Sequence, residues 1–117
     1  MKKILVVDDE EHILSLVELS LKPNFSIIKA RDGKQALKIF EKEKPGLVLL
    51  DLMMPHINGF EVCKQLKKKK APVWILSAKG LKNDIEKGLA CGADDYITKP
   101  FDPDELMKKI SLFFSRG

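Results

Sequence analysis

The chain has 117 residues, enough for one domain around a single core and too few for two. Hydrophobic residues at 44% and charged residues at 32% give an ordinary globular balance, and no apolar run approaches the roughly 20 residues of a membrane span. The net charge of +4 owes much to one run, Lys67 to Lys70 with Lys64 before it, which reads as a solvated helix end suited to the helix dipole; no direct nucleic-acid contact is expected of it.

Met1-Lys2-Lys3 ahead of Ile4–Val7 is too short for a signal peptide. Asp8-Asp9-Glu10 follows at once without a cleavage site, so a cytoplasmic location is expected. Residues Lys2 to Val7 predict a buried strand. Ile13, Leu16, Val17, Ser20 and Leu21 recur at helical spacing, leaving Leu14 and Leu19 partly exposed, and Lys22-Pro23-Asn24 ends that helix. Phe25 to Ala30 predicts the second strand. Asp32-Gly33-Lys34-Gln35 has the form of a capping box, opening a helix with Ala36, Leu37 and Phe40 on its core face.

The third strand is the apolar run Leu47 to Leu50, ending in Asp51, and its helix carries Val62, Cys63 and Leu66. Val73 to Leu76 predicts a fourth strand ending in Ser77, with Trp74 in the core. A weaker helix with Ile85, Gly88 and Leu89 follows, with Gly92 as its C-cap. Asp95 to Thr98 predicts the fifth strand, ending at Lys99-Pro100. Asp102-Pro103-Asp104-Glu105 caps a last helix with Leu106, Ile110 and Phe113 on one face. Continuous apolar strands alternating with amphipathic helices predict an α/β fold, a parallel sheet covered on both faces, in one domain over residues 1–117 with no output domain. Cys63 and Cys91 have no partner at metal-ligand spacing and read as small buried hydrophobes; His12 and His56 read as solvated.

In an open parallel sheet ligands sit beyond the carboxyl ends of the strands. Asp8, Asp9, Asp51, Ser77 and Lys99 all end strands, so all belong to that edge. Two carboxylates about 5 Å apart repel by roughly 3 kcal/mol at an effective dielectric of 20. Three together take up protons or recruit a cation, and oxygen donors without His or Cys favour Mg²⁺. An acidic metal site beside a lysine and a hydroxyl suits phosphoryl chemistry, with Asp51, alone at the end of the most apolar strand, as the nucleophile.

VVDDE, LLDLMMPHINGFEV, ILSA and GADDYITKPF, in this order and spacing, resemble the receiver domain of bacterial two-component response regulators over essentially the whole chain. The resemblance implies a single doubly wound (βα)5 flavodoxin-like domain with strand order 2-1-3-4-5. It implies that Asp51 accepts a phosphoryl group from a sensor histidine kinase or histidine phosphotransfer protein. The domain is then no enzyme beyond its own phosphorylation and slow autodephosphorylation. Mg²⁺, with Mn²⁺ as a substitute, would be held by Asp9, Asp51 and the Met53 carbonyl, with Asp8 acting mostly through water. Lys99 would pair with Asp51 at rest, Ser77 and Tyr96 would be switch residues, and Met53 and Lys79 would tune the phosphoryl lifetime. The Lys99-Pro100 bond is expected to be cis. The surface of the fourth helix, fifth strand and fifth helix would control a downstream protein or a homodimer bridged by Asp94, Asp95, Lys109 and Arg116.

A phosphatase using an aspartyl-phosphate is the rival reading. Such haloacid-dehalogenase-like enzymes carry a second acid two residues after the nucleophile, where this chain has Met53. Neither GxGxxG nor GxxxxGK[ST] is present to support a nucleotide-binding module.

Overall fold

The computed structural model describes residues 1–52, 58–78, 86 and 91–116, with Ser77 and Ala78 by backbone alone. The chain runs β1 (Lys3–Val7), α1 (Glu11–Leu21), β2 (Ser26–Ala30), α2 (Gly33–Glu43), β3 (Leu47–Asp51), α3 (Gly59–Lys68), β4 (Val73–Ala78), β5 (Asp95–Lys99) and α4 (Pro103–Arg116). The helix expected around Ile85, Gly88 and Leu89 lies outside the described residues, apart from Glu86, which is helical. All strand pairs are parallel, in the order β2-β1-β3-β4-β5.

Strands buried on both faces need apolar side chains at consecutive positions. Ile4–Val7 and Leu47–Leu50 meet that need and are fully buried. Alternation then divides them between two cores. Leu5, Val7, Val48, Leu50, Val73 and Ile75 pack with Ala36 of α2 and Val62, Cys63 and Leu66 of α3. Ile4, Val6, Leu47, Leu49, Trp74 and Leu76 pack with Ile13, Leu14, Val17 and Leu21 of α1 and with Leu106 and Ile110 of α4. Trp74 is a core residue as expected, edge-on to Phe113 with ring centroids 5.4 Å apart.

One helix face differs from expectation. Leu14 is fully buried and Leu16 is exposed, because the buried stripe runs through residues 13, 14, 17 and 21. Leu19 faces solvent as expected. The capping box forms: the Gln35 amide donates to Asp32 Oδ1 at 2.8 Å, and the Arg31 amide donates to Gln35 Oε1 at 2.9 Å. At α4 the Asp104 amide donates to Asp102 Oδ1 at 2.8 Å. Gly92 has φ +95°, the left-handed conformation expected of it.

Gly59 lets α3 start against Leu52, the residue that follows Asp51. It is buried at the start of α3, and a Cβ there would lie 2.6 Å from Leu52 Cα and 2.7 Å from the Leu52 carbonyl oxygen. Backbone cannot yield as a flexible side chain can. Gly59→Ala is therefore expected to lower the unfolding free energy by about 1–3 kcal/mol in urea denaturation. Unchanged stability would contradict this close approach.

Candidate functional site: an acidic pocket at the strand ends

The register brings the acids together before any side chain is considered. Val7 pairs with Leu50, so the next residues, Asp8 and Asp51, leave the sheet side by side. This is where the strand order reverses, the position at which open α/β sheets form a crevice. Asp51 pairs with Leu76, Ser77 with Thr98 and Ala78 with Lys99, which carries β4 and β5 to the same edge. The Asp8 amide donates to the Ala30 carbonyl at 3.1 Å, fastening the end of β1 to β2.

Asp8 is 0% exposed and Asp51 3%, and they are the buried charged residues among those described. Two buried carboxylates require compensation, and among the described residues Lys99 supplies part of it to both. Its Nζ donates to Asp8 Oδ2 at 2.8 Å, to Asp51 Oδ2 at 3.3 Å and to Glu10 Oε1 at 3.4 Å. The Glu10 amide donates to Asp8 Oδ1 at 3.0 Å. The pairing of Lys99 with Asp51 is present as expected, but the shorter bond goes to Asp8, the more deeply buried acid.

Burial pushes the Asp8 carboxyl up to about 6, opposed by the Lys99 and Glu10 hydrogen bonds and reinforced by the Asp51 charge. Burial alone would lower the pKa of Lys99, but its hydrogen bond to Asp8 and the charges of Asp51 and Asp8 outweigh that and raise it.

Asp8, Asp9, Glu10 and Asp51 each offer a carboxylate oxygen, all within 4.8 Å of one another. Hard oxygen donors at this spacing, with no thiolate or imidazole in the group, fit Mg²⁺. Glu10 received no role from the sequence, although it is the third acid of the Asp8-Asp9-Glu10 run. That run was the available signal.

The other expected site residues divide as follows. Ser77 lies on β4, between the strands of Asp51 and Lys99. Tyr96 is 37% exposed and lines a cleft of about 320 Å³ with Phe101, Leu106 and Lys109. Met53, His56 and Lys79 lie outside the described residues. The Lys99-Pro100 bond is cis. Asp94 and Asp95 have partners within the chain: Asp94 pairs with Lys67 at 2.7 Å and Asp95 with Lys109 at 2.9 Å.

Residues 4–111 match the family model of the response regulator receiver domain. The chain belongs to this family. Among its relatives, the alkaline phosphatase synthesis transcriptional regulatory protein PhoP of Bacillus subtilis is 48% identical over 119 residues, covering 99% of this chain and 50% of that protein. The probable transcriptional regulator ycf27 of Porphyridium aerugineum is 47% identical, covering 98% and 49%. The receiver thus spans about half the length of these relatives. Among solved structures, a beryllofluoride-activated DrrB receiver domain superposes with a TM-score of 0.89 at 33% identity, covering 98% of each chain. A response regulator from Chloroflexus aurantiacus gives 0.90 at 29% identity, covering 97% of this chain and 98% of that one. The chain is a receiver of the two-component response regulator family, and its acidic pocket, of the kind in which receivers bind Mg²⁺, could hold a metal ion. No helix among the described residues is long and apolar enough to cross a membrane.

The raised Asp8 pKa sets the pH dependence of the metal-free receiver. Between the ordinary value of 3.8 and about 6, the folded chain holds a proton that the unfolded chain has released. Stability contributed by that proton is present at low pH and lost as pH rises through about 6. Asp8→Asn keeps an acceptor for the Glu10 amide and removes the buried charge. Metal-free at pH 7.5, Asp8→Asn is expected to melt several degrees above wild type, at about 4 °C per kcal/mol, with a flatter profile between pH 4 and 6. A lower melting temperature would contradict this electrostatic picture.

Proposed function

We propose that this receiver is a phosphorylation-controlled switch in which Asp51 accepts a phosphoryl group from a phosphohistidine on a sensor kinase or a histidine phosphotransfer protein. The observation that carries the reading is the Asp51 carboxylate, buried at the end of β3 within 3.3 Å of the Lys99 ammonium and inside a cluster of four acids.

In this reading an Asp51 oxygen attacks phosphorus, an acyl-phosphate bond forms, and the phosphorus–nitrogen bond breaks with its electron pair going to the imidazole. Mg²⁺, with Mn²⁺ as a substitute, would be held by Asp9, Asp51 and the Met53 carbonyl, with Asp8 acting through water. Bound there, it would neutralise charge on the phosphoryl oxygens. Lys99 already holds its ammonium between Asp8 and Asp51, and it needs only to exchange a carboxylate oxygen for a phosphoryl oxygen. Ser77 would supply a hydroxyl to the same group from the neighbouring strand, and Tyr96 would change its packing as Ser77 shifts. Met53 and Lys79 would tune the lifetime of the acyl-phosphate.

The added charge would shift the population of two conformations of the surface that includes β5 and α4. A 100-fold shift corresponds to roughly 2.7 kcal/mol. The names of the relatives, transcriptional regulators about twice as long, support a DNA-binding output controlled through that surface. Dimerisation through β5 and α4 would require Asp95 and Lys109 to exchange their bond within the chain for one across the interface.

Incubation with acetyl phosphate and Mg²⁺ is expected to add one phosphoryl mass to the intact wild-type chain and none to Asp51→Asn. Labelling of Asp51→Asn at the wild-type level would overturn the assignment. Sedimentation of the phosphorylated sample beside an untreated one reads dimerisation, and a monomer in both rejects it.

A further inference from the structure

The topology gives the lysine run a neighbour that the linear sequence does not reveal. Helices α2 and α3 pack side by side over the same core, and an ion pair between Lys69 and Glu41 joins them. On α2, Lys34, Lys38 and Lys42 recur every fourth residue, and all three are exposed. On α3, Lys64 and Lys68 repeat the pattern, also exposed. From residue 33 to the C-cap at 44, and from 59 to the turn at 70, there are nine lysines and three glutamates. The resulting +6 exceeds the +4 of the whole chain, so the rest of the molecule is net acidic. Of the three glutamates, Glu41 is held by Lys69 and Glu43 by Lys3. No ion pair among the described residues engages Lys34, Lys38, Lys42, Lys64 or Lys68.

Residues four apart on a helix are about 6 Å apart along its axis, and packed helices lie about 8–10 Å apart. The face therefore presents two neighbouring rows of ammonium groups, the longer covering about 12 Å, a length over which duplex DNA carries about seven phosphate charges. The residue types bear on the occupant. Protein interfaces draw on aromatic and arginine anchors and are poor in lysine. The exposed large hydrophobics, Met1, Leu16, Leu19, Tyr96 and Leu112, all lie off α2 and α3. The face thus has no apolar anchor for a protein and no side chain to insert into a lipid surface.

We propose that the lysine face of α2 and α3 binds the phosphate backbone of duplex DNA without reading its sequence. The contact is separate from the acidic pocket, so Asp51→Asn binds like wild type and loss of one property leaves the other measurable.

Fluorescence anisotropy of a labelled 20-base-pair duplex of arbitrary sequence, titrated with the full chain from 20 to 200 mM NaCl, tests this. Five lysines predict a slope of log K against log salt of about −4.5. Lys34→Gln, Lys38→Gln and Lys42→Gln combined are expected to reduce its magnitude by about 3, and Lys64→Gln with Lys68→Gln by about 2. Lys22→Gln with Lys108→Gln, on the α1 and α4 side, is expected to leave binding unchanged. Absence of binding at 20 mM salt overturns the proposal. So does equal loss in the Lys22 and Lys108 control, or binding to phosphatidylserine vesicles in place of DNA.

Discussion

Everything at the functional edge depends on one cation serving two buried carboxylates. Asp8 and Asp51 leave adjacent strands with almost no access to water, a placement that costs several kcal/mol per ion unless charge and hydrogen bonds are returned. The Lys99 ammonium returns both, at 2.8 Å and 3.3 Å. The compensation is incomplete, since burial still pushes Asp8 up to about 6. Among the described residues, the four acids gathered around that lysine offer the hard oxygen donors that could hold a divalent ion.

The sheet gives that interaction its geometry. Strand β1 lies between β2 and β3, and β3 between β1 and β4, so the acids come from two interior strands whose neighbours fix their positions. Lys99 reaches them from β5, two strands away from β3, carried by the registers of β3 with β4 and β4 with β5. Aliphatic packing on both faces holds these strands, and Gly59 lets α3 begin against the backbone just past Asp51.

Much of this was legible in the chain. Polar residues that end apolar runs mark the functional edge of a parallel sheet, which is how Asp8, Asp51, Ser77 and Lys99 could be grouped without coordinates. Which acid Lys99 would bond more closely was not legible, because that depends on how the registers of β1, β3, β4 and β5 place the three side chains, which no local pattern encodes. Glu10 escaped notice because a third acid in a row looks like solvated charge until Lys99 arrives from 89 residues away. Leu14 and Leu16 changed places because two overlapping helical stripes satisfy the same spacing rule, and only the sheet decides between them. The lysine rows on α2 and α3 became one face through helix packing, where the sequence shows a run on one helix and scattered charges on another.

If Lys99 compensates the buried acid pair, a divalent cation among the same acids can take over part of that role. Thermal unfolding of Lys99→Met at pH 8, with and without Mg²⁺, tests it most directly. Removing one partner of a buried ion pair typically costs about 3–5 kcal/mol. The metal-free variant should therefore melt well below wild type, and Mg²⁺ should raise its melting temperature more than it raises that of wild type. A metal-free Lys99→Met that melts with wild type would contradict the account.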